Sequence, residues 1–266
     1  MIDFIKAQKA FKEYLKDYNV KNGSIKLKIK HTYEVAKKSE YIAINLGLDK
    51  ENIELAKLIA LLHDIGRFEQ IKQFGEYNNE KLEHAEFGVK ILFKDNLIRK
   101  YIDDDKYDKI IEKAIYNHNK FQIQEGLTEI ELLHCKIIRD ADKLDNFRVK
   151  EKDKLEDMFP KIYNESTINY ENISDKVYES FMQCKCIMLN DRKTIIDYWV
   201  CVIAFIFDLN FDVSLKYVEV NNYIDILINR IEYKNQDTNK KMQEIRKCAK
   251  KYIDNRLSKM GIPIDN

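Results

Sequence analysis

The stretch LIALLHDIGRFEQ, residues 58–70, decides how the rest of the chain is read. Leu55, Leu58, Ile59, Leu62 and Ile65 recur at helical spacing, which predicts a central helix from Glu51 to Gly66 with Gly66 as its C-terminal stop. His63 and Asp64 then fall in its last turn, a polar pair at the end of an otherwise apolar segment. Arg67 follows at the helix C-terminus, where the macrodipole favours a cation and where a five-donor fork would also suit a phosphate.

Working outward, residues 2–18 are amphipathic and stop at Asn22-Gly23, and Ser24 is expected to cap a second helix that carries His31 and runs to about Gly47. From Arg67 to Lys81 the periodicity fails, so this stretch is expected to be a loop of lid length, with Phe68, Phe74 and Tyr77 as a mobile cover. Helical patterning returns at Leu82 to Phe93, Tyr107 to Phe121 and Glu129 to Val149, carrying His84, His118 and Asp142 in turn. Past Lys150 the charged run EKDKLED and Pro160 mark a boundary, giving residues 1–150 as one domain and 151–266 as a helical C-terminal extension expected to complete the pocket. Further helices are read at Ser174 to Leu189, Lys193 to Phe207, Leu215 to Ile231 and Asn239 to Leu257.

Composition agrees. Only 7 Gly and 2 Pro punctuate 266 residues, too few for the frequent turns of a β-sandwich, so an all-α fold is expected. Lys and Arg total 46 against 45 Asp and Glu, so no global field exists to hold long nucleic acid. The longest apolar run, Trp199 to Phe207, is far short of the roughly 20 residues that span a bilayer, and the N-terminus lacks the pattern of a signal peptide. No membrane partner and a cytoplasmic location are therefore expected. Cys135, Cys184, Cys186, Cys201 and Cys248 are read as reduced core thiols within apolar helices, consistent with that compartment.

The chain holds five histidines. His31, His63-Asp64, His84, His118 and Asp142 form an ordered set of imidazoles and carboxylates on or beside helices, a donor mixture suited to manganese, iron, cobalt, nickel or zinc rather than to calcium. His134 belongs to no such pattern and reads as a structural residue. Asp140 and Asp145 flank Asp142 and cannot all face one metal from the same helix.

These segments, HTYEVAKK, LIALLHDIGRFEQ, KLEHAEFGVKIL, AIYNHNK and IIRDADKLDN, together resemble the HD-domain superfamily of metal-dependent phosphohydrolases, in a bacterial branch with the HDIGRFEQ signature. The resemblance covers roughly Ser24 to Lys150. It implies that His31, His63, Asp64 and Asp142 hold one divalent ion, and that His84, His118 and a bridging Asp64 hold a second. Manganese or iron is expected, with nickel, cobalt, zinc or magnesium as further choices. Asp142 is taken as the last ligand and Asp145 as a partner orienting a ligand histidine. Asp64, Arg67 and Lys143 are the expected catalytic residues. The implied reaction is hydrolysis of a small phosphomonoester or phosphodiester, a nucleotide by expectation. Asn117-His118-Asn119 stands where some cyclic-dinucleotide phosphodiesterases carry adjacent histidines, which weakens that substrate. A di-iron oxygenase with the same donor order and a non-catalytic nucleotide sensor are the alternatives. Oligomeric state is not legible.

Overall fold

In the computed structural model, which describes residues 2–75, 83–158 and 164–259, every regular element among those residues is helical, as the scarcity of turn residues predicts. Helix α1 (Phe4–Tyr14) starts at Asp3, whose carboxylate accepts the Lys6 amide at 3.0 Å, and it packs on α3 (Lys50–Leu62) with Phe11 fully buried. Helix α2 (Gly23–Asn45) is capped by Asn22 and not by Ser24: the Asn22 side chain accepts the Ile25 amide at 3.1 Å. A side-chain oxygen placed before the first turn satisfies an amide the helix leaves orphaned.

Helix α3 ends at Leu62, earlier than predicted, and α4 (Ile65–Phe74) begins after two intervening residues, His63 and Asp64. Gly66 is therefore no stop. It lies in the first turn of α4, where an added Cβ would stand 2.1 Å from the His84 carbonyl oxygen and 2.8 Å from the Gly88 amide nitrogen. Having no side chain there lets α4 meet α5 (His84–Val89) backbone to backbone. The stop belongs to Gly75, which closes α4 at φ 71°, a conformation glycine adopts without strain.

The stretch expected to be a lid loop is thus helical through Phe74. Ile65, Phe68 and Ile71 recur three apart and are buried, and the Phe68 ring packs 5.8 Å from Phe11 and 5.6 Å from Tyr18, centroid to centroid. Phe68 is core and not cover, because it anchors α4 to the N-terminal helix. Residues 76–81 of the expected loop, with Tyr77, lie outside the described residues. Helix α5 runs into a wider π turn at Lys90–Lys94 and packs on α6 (Asp108–Asn117), and α7 (Glu129–Lys152) follows.

The chain divides into two compact units, Met1–Asp145 and Asn146–Asn266, with the division inside α7. The second unit contains α8 (Leu155–Met158), α9 (Glu165–Ile168), α10 (Asp175–Met182), α11 (Ile195–Ile203), α12 (Asp212–Val220), α13 (Tyr223–Asn229) and α14 (Gln236–Ser258). The single helix expected over Leu215 to Ile231 is two, parted at Asn221-Asn222, where Asn222 takes φ 50°. Asparagine tolerates that left-handed conformation better than other side chains do. Trp199 of α11 is fully buried, its indole donating to the Leu227 carbonyl at 3.0 Å. Helix α14 packs on α10, α12 and α13. None of the described helices is long and apolar enough to cross a membrane.

The cysteines divide. Cys135 and Cys201 are buried core thiols as expected, but Cys184 is exposed in the turn after α10, and Cys186 and Cys248 are half-buried. Cys184 lies outside any helix because α10 stops at Met182.

Candidate metal centre

The break between α3 and α4 falls at Asp64: His63 still holds helical dihedrals (φ −56°, ψ −39°), and Asp64 leaves them (φ −101°, ψ 15°), its backbone carbonyl accepting the Arg67 amide at 2.8 Å as α4 begins. His63 Nδ1 donates to the Ala60 carbonyl at 2.7 Å, and His118, at the end of α6, does the same to Ile115 at 2.6 Å. His31 Nδ1 donates to Asp145 Oδ2 at 2.7 Å, and Asp145 Oδ1 is held in turn by Lys38 Nζ at 2.9 Å. A carbonyl or carboxylate on Nδ1 fixes the proton there, so each of these rings presents an unprotonated Nε2 on its other side.

Those nitrogens converge on Asp64. Its Oδ2 lies 3.7 Å from His31 Nε2 and 3.5 Å from His63 Nε2; its Oδ1 lies 3.4 Å from His84 Nε2 and 3.7 Å from His118 Nε2. His84 and His118 place their Nε2 atoms 3.0 Å apart. On α7, Asp142 Oδ1 is 3.1 Å from His31 Nε2. The six residues expected to hold metal are thus brought together, and His31, His63, Asp64, His84 and His118 are all buried. Asp142, with a side chain 22% exposed, lies at the more open edge.

Among the described residues, the donor atoms of His31, His63 and Asp142, and those of His63, Asp64 and His118, satisfy the spacing a metal ion requires. Asp64, His84 and His118 are as closely spaced, at 3.0 to 3.7 Å. The donors fit a divalent transition ion. The buried His63 Nε2 makes no hydrogen bond, and an unprotonated imidazole nitrogen facing a carboxylate oxygen repels it unless a cation joins them.

Electrostatics follow from that crowding. Burial alone would raise the Asp64 carboxyl, but Lys28 and the surrounding His63, His118 and His84 hold it well below the usual carboxylate range. Burial would likewise raise Asp142, which the contact with His31 carries down. Burial lowers His63 to about 4, and burial, then Arg67 and His118, push His84 well below 6.5. His31 goes the other way: burial and Lys28 lower it, but Asp142 and Asp145 on its two sides outweigh them.

Of the other expected residues, Arg67 lies in the first turn of α4 and not at a helix C-terminus, so the macrodipole there opposes a cation and cannot account for it. Its Nε is 3.8 Å from Asp64 Oδ1 and its Nη1 donates to Gln70 Oε1 at 2.5 Å. Lys143 Nζ reaches back along α7 to the Arg139 carbonyl at 3.4 Å. His134, fully buried, pairs Nε2 with Asn52 Oδ1 at 3.0 Å, a local bond with no carboxylate among its hydrogen-bonding partners.

One residue escaped the sequence reading. Lys28 Nζ sits 2.6 Å from Asp64 Oδ2. It lies three residues before His31, on the same face of α2, and that spacing was the available signal. Glu83 and Asn119 also meet beside His84: its Nδ1 is 3.5 Å from Glu83 Oε1 and 3.3 Å from the Asn119 amide nitrogen. Neither a curated protein nor a solved structure matches the chain. Residues 29–146 match the model of the family described as HD domain.

Proposed function

Since the chain belongs to the HD-domain family through residues 29–146, we propose that it is a metal-dependent phosphohydrolase acting on a phosphomonoester or phosphodiester of a small molecule, a nucleotide being the expected class. The observation that carries this reading is Asp64, whose two oxygens each face a different pair of imidazole nitrogens. His31, His63, Asp64 and Asp142 would hold one divalent ion, and His84, His118 and Asp64 would hold a second.

When bound, such ions offset phosphate charge and lower the pKa of a coordinated water toward neutrality. The chain supplies the rest. Asp145 holds a proton on His31 Nδ1, and the Ala60 and Ile115 carbonyls hold protons on His63 and His118, so all three Nε2 atoms stay available. Arg67, its side chain 15% exposed, brings a planar fork to the same carboxylate and is assigned the substrate phosphate, with Lys143 as an auxiliary contact. Lys28 adds a further cation at Asp64 Oδ2. The reading includes a cytoplasmic location, supported by five unbridged cysteines, and no long nucleic acid as partner.

The test begins with protein purified without chelators. Elemental analysis should find two transition-metal ions per chain, and His84→Ala should retain one. Hydrolysis of a panel of nucleotides and sugar phosphates is then assayed with manganese under nitrogen. A strict oxygen requirement would transfer the assignment to oxygenase chemistry, which uses the same donor order, and binding without turnover would make the protein a sensor.

A further inference from the structure

Cys184 and Cys248 bring their sulfurs to 4.0 Å across α10 and α14, although they are 64 residues apart in the chain. Cys184 follows α10 at φ 55°. Its amide donates to the Phe181 carbonyl at 2.8 Å and the next amide, of Lys185, to Ser180 at 3.0 Å. That pair of bonds closes a helix on a left-handed residue, a position where glycine is the ordinary occupant and any other side chain is strained. Here a thiol occupies it. Both sulfurs border a surface groove of about 680 Å³ that Lys247, Lys251 and Tyr252 also line, so a small solute has access to them.

We propose that Cys184 and Cys248 are a redox modification site that closes an intrachain disulfide when a peroxide-class oxidant enters this groove. The exposed Cys184 is attacked first. Its sulfur takes one oxygen from the peroxide and becomes a sulfenic acid as the first water leaves. The Cys248 sulfur then bonds to the Cys184 sulfur and displaces that oxygen, which departs with a proton as the second water. Two thiols and one peroxide thus yield one disulfide and two waters. Burial, and then its neighbour Cys184, push the Cys248 thiol up to about 11, which disfavours its thiolate and leaves the exposed Cys184 as the sulfur that meets the oxidant first. The sulfurs must close by roughly 2 Å to reach bonding distance, within reach of rotating an exposed side chain. The inference does not depend on the hydrolase reading, and its failure would leave that reading standing.

The full chain is treated with one equivalent of hydrogen peroxide, alkylated, digested without reductant and mapped by mass spectrometry. A crosslinked Cys184–Cys248 peptide is expected, with loss of two hydrogens from the intact mass and full reversal by dithiothreitol. Closing so long a loop should raise Tm by about 10 °C over the reduced protein. Cys248→Ser should lose both effects. Cys184→Gly serves as a second variant and should fold at least as well as the parent when reduced, since glycine suits the left-handed position, yet should show no oxidative rise in Tm. A Cys184–Cys186 bond, an interchain bond, irreversible sulfinic acid or unreacted thiols would each overturn the proposal.

Discussion

Asp64 in the first unit and Asp197 in the second are both buried carboxylates, but their neighbours differ in kind. Asp197 accepts the Ser174 amide at 2.8 Å, the Ser174 hydroxyl at 2.6 Å, and the Lys193 and Thr194 amides at 2.8 and 3.1 Å, and it closes a capping box at the start of α11. Its lone pairs are satisfied by donors that cannot move. Of the four imidazoles that ring Asp64, those of His31, His63 and His118 have their Nδ1 protons committed elsewhere, and of the cations beside it Lys28 Nζ approaches closest, at 2.6 Å. A buried carboxylate saturated by backbone amides is structure; one ringed by imidazole nitrogens beside a lysine has a donor set that suits a further cation.

The sharpest way to break this contrast is to neutralise both. Asp64→Asn should cut turnover about a thousandfold or more while leaving the protein folded. Asp197→Ala should strand three backbone amides and a cap, costing about 3 kcal/mol or more in denaturant unfolding. If the Asp64 variant unfolds and the Asp197 variant does not, the comparison is inverted. Next in size, Arg67→Lys keeps the charge and loses the fork, so kcat/KM should fall by about 10- to 100-fold at constant Tm. Normal turnover would make Arg67 a structural partner of Gln70 and Asp64.

Asp145→Asn sharpens the contrast from a distance, since Asp145 reaches the centre only by orienting His31. Metal affinity should weaken by about 10-fold, read by chelator competition, with turnover rescued at excess metal. Unchanged affinity would show that the ring keeps its orientation without that carboxylate.

The effect of His134 is read by pH alone. Burial lowers it to about 4, against 6.5 in the unfolded chain, so between those values unfolding takes up a proton that folding excludes. Stability should therefore fall as pH drops from 6.5 toward 4, by up to about 1.4 kcal/mol per pH unit from this residue. His134→Gln should flatten the slope by that amount, and an unchanged slope would assign the whole dependence to the histidines around Asp64.

Much of this was legible because chemistry-bearing residues are scarce: of five histidines, the four in an ordered series with Asp64 and Asp142 leave few arrangements. Positions whose role depends on tertiary approach were not. Gly66 looks like a helix stop in sequence, and only the nearness of the His84 carbonyl shows that it is a contact point. The break at His63-Asp64 contains neither glycine nor proline, so no local signal announced it. Phe68 was legible and misread, because the spacing of Ile65, Phe68 and Ile71 is helical but begins inside a segment taken as ended. Lys28 hides among Lys26 and Lys30, distinguished only by the turn it shares with His31.

The glycine contact between α4 and α5 has a mechanical meaning. Asp64 precedes α4 immediately and His84 opens α5, so the interval between them is set where Gly66 touches the His84 carbonyl. That joint is a spacer with no slack, its thickness fixed by the missing methyl group. A side chain at 66 would remove no donor atom and alter no charge. It would act as a shim, widening the gauge between two halves of a centre whose parts are all still present.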